Sequence, residues 1–315
     1  MTPQVITIDC DYIQPQLAAA YLLIHRGRAV FIENNTQYAV PLMIDILREN
    51  GLEPDDVDYA IVTHVHLDHA GGSSALMDAC PNAVMLCHPR AVRHLVDPAR
   101  LIAGTREVYG AERFERLYGT IGPVSEDRVR SVADDEVIDW NGRNLRFLHT
   151  PGHASHHISV VDTDSNSVFT GDVFGVCYPA LQQNGILAFV STPPTDFDVE
   201  QSRDSINRIA ALGMKNIFPT HFGRMDDPHG ALIQLHQGLD FSEELMEETY
   251  LSLKQGDDPE MVNRNCFKRL MAYTKGCFAG LKIEMSQSNW DLLALDIELS
   301  ANGLFFAAQR KLRNK

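Results

Sequence analysis

The sequence predicts an α/β fold with a helical extension at its C-terminal end. In the first two thirds of the 315 residues, short apolar runs typical of strands alternate with turns and with stretches whose apolar residues recur at helical spacing. After about Pro228 the pattern is amphipathic and helical. The length suits one large sandwich-type domain plus an appendage. We therefore predict a domain over residues 1–228 and a helical C-terminal cap over residues 229–315.

Strands are predicted where runs of β-branched, aromatic and other apolar residues lie between turn-forming residues. The second and third runs are separated by the turn-prone residues 25–28, which would join them as a hairpin. The fourth run is apolar without alternation, as in a strand that is buried on both faces. In chain order the predicted strands are residues 5–8, 20–24, 29–32, 59–62, 83–86, 145–148, 158–161, 168–170 and 216–218.

Helices are predicted where apolar residues recur three and four positions apart. The first such segment ends at Gly51, a residue that commonly stops helices. Residues 90–120 add the aromatic side chains of Tyr109, Phe114 and Tyr118, which suit ordinary packing or a helical flap over a pocket. In chain order the predicted helices of the domain are residues 40–50, 72–80, 90–120 and 199–212.

Charge and composition exclude several classes of function. The formal net charge is −15 and no basic stripe offsets it, so we expect no nucleic-acid partner. Residues 1–5 do not begin a signal peptide, and no run of about 18 apolar residues predicts a membrane span. We therefore expect a cytoplasmic protein without a membrane partner. The six cysteines are scattered, which predicts buried free thiols rather than disulfides or a zinc knuckle.

The strongest signal for chemistry is a His-x-His-x-Asp-His motif that directly follows a predicted buried strand. His64 and His66 lie two apart on nearly extended backbone and therefore point the same way. Asp68 and His69 add a carboxylate and an imidazole where the chain turns. With 13 histidines in the chain, this motif arises by chance on the order of 10⁻³ times per chain. We therefore predict that this loop binds two adjacent metal ions.

Three further candidate ligands each follow a predicted strand and precede a turn: His153, Asp172 and His221. Taken singly, each suits a structural role, because Gly-Asp turns and lone histidines after strands are common. Strand ends at one edge of a sandwich can, however, bring residues together that are distant in sequence. Imidazoles and carboxylates at such an edge suit Zn²⁺, Fe or Mn²⁺. We expect all three to join the metal site of the loop.

With these residues the sequence resembles the metallo-β-lactamase superfamily, whose fold is an αββα sandwich, and the resemblance covers roughly residues 1–228. It implies seven ligands, which are His64, His66 and His153 for one metal ion, Asp68, His69 and His221 for the other, and Asp172 as a bridge. This set resembles that of glyoxalase II-like and lactonase-like members, which hydrolyse a thioester or a lactone. The bridging Asp172 distinguishes the sequence from true β-lactamases, which lack that carboxylate.

The chemistry of such a site also follows from general principles. Two metal ions about 3.5 to 4 Å apart share a water and lower its pKa towards neutrality, which gives a hydroxide nucleophile at pH 7. The same cations polarise the substrate carbonyl and stabilise the oxyanion. Asp68 and Asp172 are the predicted catalytic residues, and Asp68 is the candidate for moving a proton to the leaving group. Two zinc ions are expected, with iron or manganese as alternatives.

Two more residues are candidates for roles around the metal ligands. His157 resembles the last histidine of the glyoxalase-like Pro-Gly-His-x-x-Gly-His pattern, which orients the ligands. Here His156 replaces the glycine of that pattern, so either histidine could face the site. Tyr178, six residues after Asp172, is a candidate substrate contact or an ordinary buried tyrosine.

The leading hypothesis is therefore a binuclear metal-dependent hydrolase that acts on a small acyl or lactone substrate. The helical cap resembles in position the glutathione-binding domain of glyoxalase II, but an apolar acyl or lactone substrate fits the apolar insert at residues 186–190 equally well. A mononuclear iron oxidoreductase similar to persulfide dioxygenases is one alternative, because its ligand set is the same. A metal-binding signalling protein with little catalysis is another. The sequence leaves the oligomeric state open.

Overall fold

The computed structural model describes residues 4–194 and 196–313, apart from the side chain of Leu292. The predicted domains also include residues 1–3, Thr195 and residues 314–315, which lie outside the described residues. The chain forms two compact units. Unit 1 consists of Met1–His149, His156–Gly171 and Gly213–Met225, and unit 2 of Thr150–Ser155, Asp172–Leu212 and Asp226–Lys315. The predicted domain boundary after residue 228 stays a prediction.

Unit 1 contains a six-stranded sheet in the order β1-β2-β3-β4-β5-β6. Its strands are β1 (Gln4–Asp9), β2 (Ala19–His25), β3 (Arg28–Ile32), β4 (Val57–Ile61), β5 (Val84–Cys87) and β6 (Val129–Ser131). The first three are antiparallel neighbours, which includes the predicted hairpin, and β3 to β6 are parallel neighbours. The carboxyl ends of β3, β4 and β5 therefore lie at one edge of the sheet.

A second sheet of unit 1 has the order β11-β10-β9-β8-β7. Its strands are β7 (Val137–Trp140), β8 (Arg143–His149), β9 (Ile158–Asp162), β10 (Ser167–Gly171) and β11 (Asn216–Pro219). Strands β7 to β10 alternate in direction, and β11 pairs parallel with β10. Strands β8, β10 and β11 consequently run the same way. The three segments that carry His153, Asp172 and His221 begin at the carboxyl ends of these strands.

The described residues of unit 1 also form six α-helices, and they are α1 (Val40–Glu49), α2 (Leu67–Ala70), α3 (Ser73–Ala79), α4 (Val92–Val96), α5 (Ala99–Tyr109) and α6 (Ala111–Tyr118). Phe114 and Tyr118 are buried, and the hydroxyl group of Tyr12 donates to that of Tyr118 over 3.2 Å. These aromatic residues are therefore packed within the unit, as the simpler of the two sequence interpretations proposed.

Alternate residues of β2 belong to two different cores. Tyr21 lies between the two sheets, where its ring centroid is 5.1 Å from that of Phe169 and 5.3 Å from that of Phe218. Leu22 points the opposite way and belongs to the buried cluster that contains Met43 of α1 and Leu76 of α3. Because successive side chains of a strand alternate between faces, a strand buried on both faces is apolar throughout.

Unit 2 contains the four remaining long helices, which are α7 (Val199–Ala211), α8 (Pro228–Gln255), α9 (Pro259–Gly280) and α10 (Gln287–Arg313). Two Asp-Pro pairs start α8 and α9. Asp227 accepts from the backbone N–H of Gly230 at 2.9 Å, and Asp258 accepts from that of Met261 at 3.1 Å. An aspartate cap followed by proline is a favoured helix start, since proline needs no hydrogen-bond acceptor there.

The predicted α/β fold with two packed sheets and a C-terminal helical extension is confirmed. All six cysteines are free, and five of them are buried. Within the described part of the chain, no helix is long and apolar enough to span a membrane.

Candidate metal centre

The histidine motif occupies the loop that follows β4 and the short helix α2. His66 precedes α2 with extended backbone, and Asp68 and His69 lie within the helix. Nε2 of His64 lies 2.9 Å from Nδ1 of His66, with the two rings nearly perpendicular. The extended stretch therefore brings the two imidazoles together, and the turn of α2 places the second pair of predicted ligands next to them.

Close backbone packing holds this loop against the segment that follows β3. The backbone N–H groups of Asn34 and Asn35 both donate to the carbonyl group of His69 at 3.0 Å. A Cβ atom at Gly72 would lie 2.6 Å from the carbonyl oxygen of Asn34 and 2.8 Å from that of Thr36. Glycine at this position of the motif is thus required by close backbone approach.

Three of the predicted ligands form a compact group within unit 1. Nε2 of His221 lies 3.4 Å from Oδ2 of Asp68, and Nε2 of His69 lies 3.8 Å from the same oxygen. One ligand atom from each of the three side chains falls within 4.8 Å of the others. Both histidines are buried, whereas the side chain of Asp68 is 25% exposed. The group could therefore hold a cation that is reachable from solvent on the side of Asp68.

The histidines of this group present Nε2 to the group because their Nδ1 atoms are held elsewhere. Nδ1 of His221 lies 2.7 Å from the carbonyl oxygen of Leu17, and Nδ1 of His69 lies 3.2 Å from a carboxylate oxygen of Glu33. A carbonyl or carboxylate oxygen can only accept, so Nδ1 carries the proton and Nε2 keeps the lone pair that a metal ion needs.

Glu33 also orients His64, through a hydroxyl group. Thr63 donates its hydroxyl proton to Glu33, and the hydroxyl oxygen of Thr63 lies 3.0 Å from Nδ1 of His64. Since the Thr63 proton is directed at Glu33, its oxygen accepts from His64, whose Nε2 then keeps its lone pair. A second hydroxyl group, that of Thr220, donates to Glu33 at 3.1 Å. One buried carboxylate thus fixes the orientation of histidines from both predicted ligand sets.

Sequence reasoning missed Glu33. Its carboxylate lies within ligand distance of His64 and His69, so the three residues form another group that could hold a cation. Glu33 contacts the Nδ1 atom of His69 and two hydroxyl groups. A carboxylate with such contacts orients the neighbouring imidazoles. The available signal was an acidic residue directly after a buried strand, at the same point where the predicted ligands follow theirs.

Gly171, the residue before Asp172, packs closely against Thr63 and His157, which both contact His64. Its φ is +53°, and a Cβ atom there would lie 2.5 Å from both the hydroxyl oxygen of Thr63 and Nε2 of His157. The ring of His157 is fully buried and stacks on that of His64 at 5.0 Å. His156 is half-buried, with its ring 6.2 Å from that of His64. His157 is therefore the histidine that packs more closely on His64.

The remaining predicted ligands belong to unit 2. Nε2 of His153 lies 3.4 Å from Oδ2 of Asp172, and both side chains are nearly buried. Nδ1 of His153 lies 3.3 Å from the carbonyl oxygen of Ser191, which again directs Nε2 to the carboxylate. At Gly152, a Cβ atom would lie 2.3 Å from the backbone nitrogen of Ser202, so glycine is needed for close packing.

Tyr178, a candidate substrate contact, is also in unit 2. Its hydroxyl group donates to Oδ2 of Asp296 over 2.9 Å, and the residue is buried. The structure thus places this side chain against α10. Its predicted role as a substrate contact stays a prediction.

The donor chemistry of both units fits a divalent transition metal. Imidazole nitrogens and carboxylate oxygens are the ligands that zinc, iron and manganese accept in proteins. His64, His69 and His221 have their second nitrogen held by a hydroxyl group, a carboxylate or a carbonyl, as metal ligands do. In unit 1 such a cation would be held by Asp68, His69 and His221.

Comparison with known proteins identifies the family. The sequence model described as the metallo-beta-lactamase superfamily matches residues 19–221. The chain belongs to the metallo-β-lactamase superfamily. The matched region contains all seven predicted ligands, from His64 to His221.

Several curated proteins are similar to this superfamily member. The metallo-beta-lactamase fold-containing protein ST1585 of Sulfurisphaera tokodaii is 26% identical over 218 residues, which are 66% of this chain and 74% of that protein. An N-acyl homoserine lactonase from Bacillus sp. is 26% identical over 58% of this chain and 61% of its own length. An atrochrysone carboxyl ACP thioesterase from Aspergillus chevalieri is 27% identical over 55% of this chain and 46% of its own length. The chain thus spans only about half to three quarters of these relatives.

The fold is similar to that of solved members of the superfamily. The crystal structure of ST1585 from Sulfolobus tokodaii superposes with a TM-score of 0.67 and 22% identity, and the match covers 95% of this chain and 97% of that one. The similarity therefore includes the C-terminal helical extension as well as the two sheets.

Proposed function

We propose that this chain is a hydrolase that uses two divalent metal ions to cleave a thioester, a lactone or a related ester. The observation that carries the proposal is the group of Asp68, His69 and His221, in which two oriented imidazoles and a partly exposed carboxylate converge. Named relatives from the superfamily include a lactonase and a thioesterase, which supports the same class of reaction.

The proposal assigns seven ligands to the metal pair. We assign His64, His66 and His153 to one cation, Asp68, His69 and His221 to the other, and Asp172 to both. When bound, the cations supply a water of lowered pKa and stabilise the negative charge that develops on the substrate carbonyl oxygen. Zinc is the expected metal, with iron or manganese accepted by the same donors.

The chain's own side chains would hold the reacting groups and move the proton. Water adds to the acyl carbon, the bond from that carbon to sulfur or oxygen breaks, and the leaving group takes up a proton. Asp68 is the side chain that we assign to carry this proton, because its carboxylate is 25% exposed while Oδ2 faces His221. Glu33 and Thr63 would keep the ligand imidazoles in the tautomer that leaves Nε2 available.

Metal analysis and a substrate panel test this proposal. Protein purified without chelators should contain close to two metal ions per chain and should hydrolyse members of a panel of thioesters, lactones and carboxylic esters. His64→Ala and Asp172→Ala should each lower turnover by orders of magnitude. The exposed residues His229 and Asp204 provide controls, since His229→Ala and Asp204→Ala remove the same groups away from the site.

Three results would contradict the proposal. They are protein that retains no metal, near-wild-type turnover in both ligand variants, or a single iron with oxygen consumption and no hydrolysis. The last result would instead indicate an oxidoreductase similar to persulfide dioxygenases.

A further inference from the structure

Unit 2 encloses an apolar cavity of about 280 Å³. Its walls are formed by α8, α9 and α10 and by residues 187–190, which are part of the apolar insert at residues 186–190. Phe241 of α8 and Tyr273 of α9 stack in parallel at 4.1 Å on one side, and Ile297 of α10 is another wall residue. Gln237 and Gly280, which also line the cavity, are exposed and provide a route of entry from solvent.

Three polar side chains of the wall direct hydrogen bonds into the protein. Ser242 and Thr274 each donate to the carbonyl group four residues earlier in their own helix, at 2.7 and 3.0 Å. Gln234 donates to the carbonyl group of Ile186 and accepts from the N–H group of Ala188, both at 2.8 Å. The hydroxyl groups of Ser242 and Thr274 therefore already donate elsewhere, and most of the remaining lining is carbon surface, which favours an apolar occupant.

The charge of the wall also selects the ligand. Asp296 of α10 lines the cavity and accepts a hydrogen bond from Tyr178. No lysine or arginine is among the lining residues of the described chain. A carboxylate or phosphate on the ligand would therefore meet a like charge and would find no lysine or arginine on the lining to pair with, and desolvation would add to that cost. An uncharged chain avoids both penalties.

Residues 187–191 connect the cavity to the proposed ligands of unit 2. Phe189 lines the cavity and exchanges two backbone hydrogen bonds with Val176, at 3.0 and 3.2 Å. The carbonyl group of Ser191 lies 3.3 Å from Nδ1 of His153. The same short segment thus forms one wall of the cavity and holds a proposed metal ligand, so the cavity and that half of the site are adjacent within the unit.

We propose that this cavity binds the uncharged aliphatic chain of the substrate's acyl group. A cavity of about 150 Å³ binds benzene, so the larger space found here has room for roughly ten carbon atoms. That the bound chain is part of a substrate rests on the proposed function, whereas the binding of an aliphatic chain does not.

Displacement of a neutral fluorescent probe tests the binding directly. The metal-loaded full chain is titrated with N-phenyl-1-naphthylamine, which is then displaced by 1-decanol or by decanoate. Decanol should displace the probe at a concentration at least about tenfold lower than decanoate, because only decanoate carries a charge towards Asp296. Asp296→Asn should narrow this ratio to about twofold or threefold, while the exposed Asp291→Asn on the same helix should leave it unchanged.

A substitution that fills the cavity provides a second arm. Ser242→Leu should weaken decanol binding about tenfold or more, because leucine occupies the space of the chain. Ser252→Leu makes the same change on α8 outside the cavity and should bind decanol as the wild type does. Absence of saturable binding to the wild type, or equal displacement by decanol and decanoate, overturns the proposal. If Ser242→Leu does not fold, the comparison of Asp296→Asn with Asp291→Asn still decides.

Hydrolysis of p-nitrophenyl esters separates this proposal from the proposed function. Wild-type kcat/KM should rise from the acetyl to the decanoyl ester, and Ser242→Leu should remove that rise while the acetyl ester is still hydrolysed. Decanol binding without any hydrolysis would contradict the hydrolase assignment alone. Hydrolysis that does not depend on chain length, together with no decanol binding, would contradict the cavity proposal alone.

Discussion

Oε1 of Glu33 lies 3.2 Å from Nδ1 of His69, and both side chains are almost completely buried. The same oxygen accepts the hydroxyl proton of Thr63, whose oxygen in turn accepts from His64. A single carboxylate therefore sets the tautomer of two histidines that we assign to different cations. Glu33 would thus support the proposed metal centre without belonging to the seven assigned ligands.

Glu33→Gln should lower the affinity for metal by about 10-fold to 100-fold, because an amide cannot hold both imidazoles as a carboxylate does. Competition with a chromogenic chelator measures this affinity, and the same preparations give kcat. Glu49→Gln, an exposed change on α1, is the matched control. Wild-type affinity in Glu33→Gln would show that the carboxylate does not orient the ligands.

Gly171→Ala should destabilise unit 1 and reduce its metal content. The added Cβ would lie 2.5 Å from Thr63 and from His157, and φ at this residue is +53°. Gly213→Ala is the control for this steric clash, because φ there is +63° but no atom lies within 4 Å of the added carbon. In both variants an alanine must adopt a positive φ, which lowers the free energy of unfolding. Only Gly171→Ala should also lose metal, and equal metal contents would contradict this explanation.

The buried ion pair of Arg143 and Asp162 joins the neighbouring strands β8 and β9 of the second sheet. Both side chains are fully buried, and Arg143 also donates to the carbonyl group of Ile24 at 3.2 Å. Arg143→Met leaves a buried carboxylate without its cation and should lower the free energy of unfolding by about 3 to 5 kcal/mol. The exposed pair of Arg264 and Glu260 is the control, for which Arg264→Met should cost at most about 1 kcal/mol. Urea denaturation measures both, and similar losses would argue against a special role for the buried pair.

His88 should make the protein less stable as the pH falls. Burial, with the nearby His149 and Arg90, lowers the pKa of His88 from 6.5 to about 4. Between these two values the unfolded chain binds a proton that the folded chain does not, so the free energy of unfolding rises with pH across this window. It should reach its full value above pH 6.5. His88→Asn should have a shallower slope between pH 4 and 6.5 than the wild type in denaturant titrations, and identical slopes would contradict this cause.

Much of the fold was predictable because the strands of unit 1 are buried on one or both faces. Continuous or alternating apolar runs mark such strands directly in the sequence. Strand β6 was missed, since it is three residues long and two of them, Arg130 and Ser131, are exposed. Helix α2 was read as a turn because its four residues, Leu67–Ala70, are too few to show a helical period.

The site was predictable only in part. The candidate ligands in the loop that contains His64 and His66 form a compact sequence motif, and the family resemblance assigned the other candidate ligands. Glu33 has no such motif, because its role depends on hydroxyl groups from Thr63 and from the distant Thr220. The choice between His156 and His157 likewise depended on packing, which a sequence pattern does not contain. The cavity among the helices of the tail was hidden for the same reason, since amphipathic spacing does not show how tightly helices pack.

The anchoring of His221 on Leu17 has a consequence for the order in which the protein matures. Protein synthesis produces Leu17, Glu33 and the loop histidines early, whereas β11 and His221 leave the ribosome much later. A nascent chain that stalls before β11 has a partial set of donors and lacks the hydroxyl group of Thr220 on Glu33. In the proposed metal site, the donor set would be complete only after β11 has joined the second sheet, so we expect truncated chains to bind cations more weakly than the full chain.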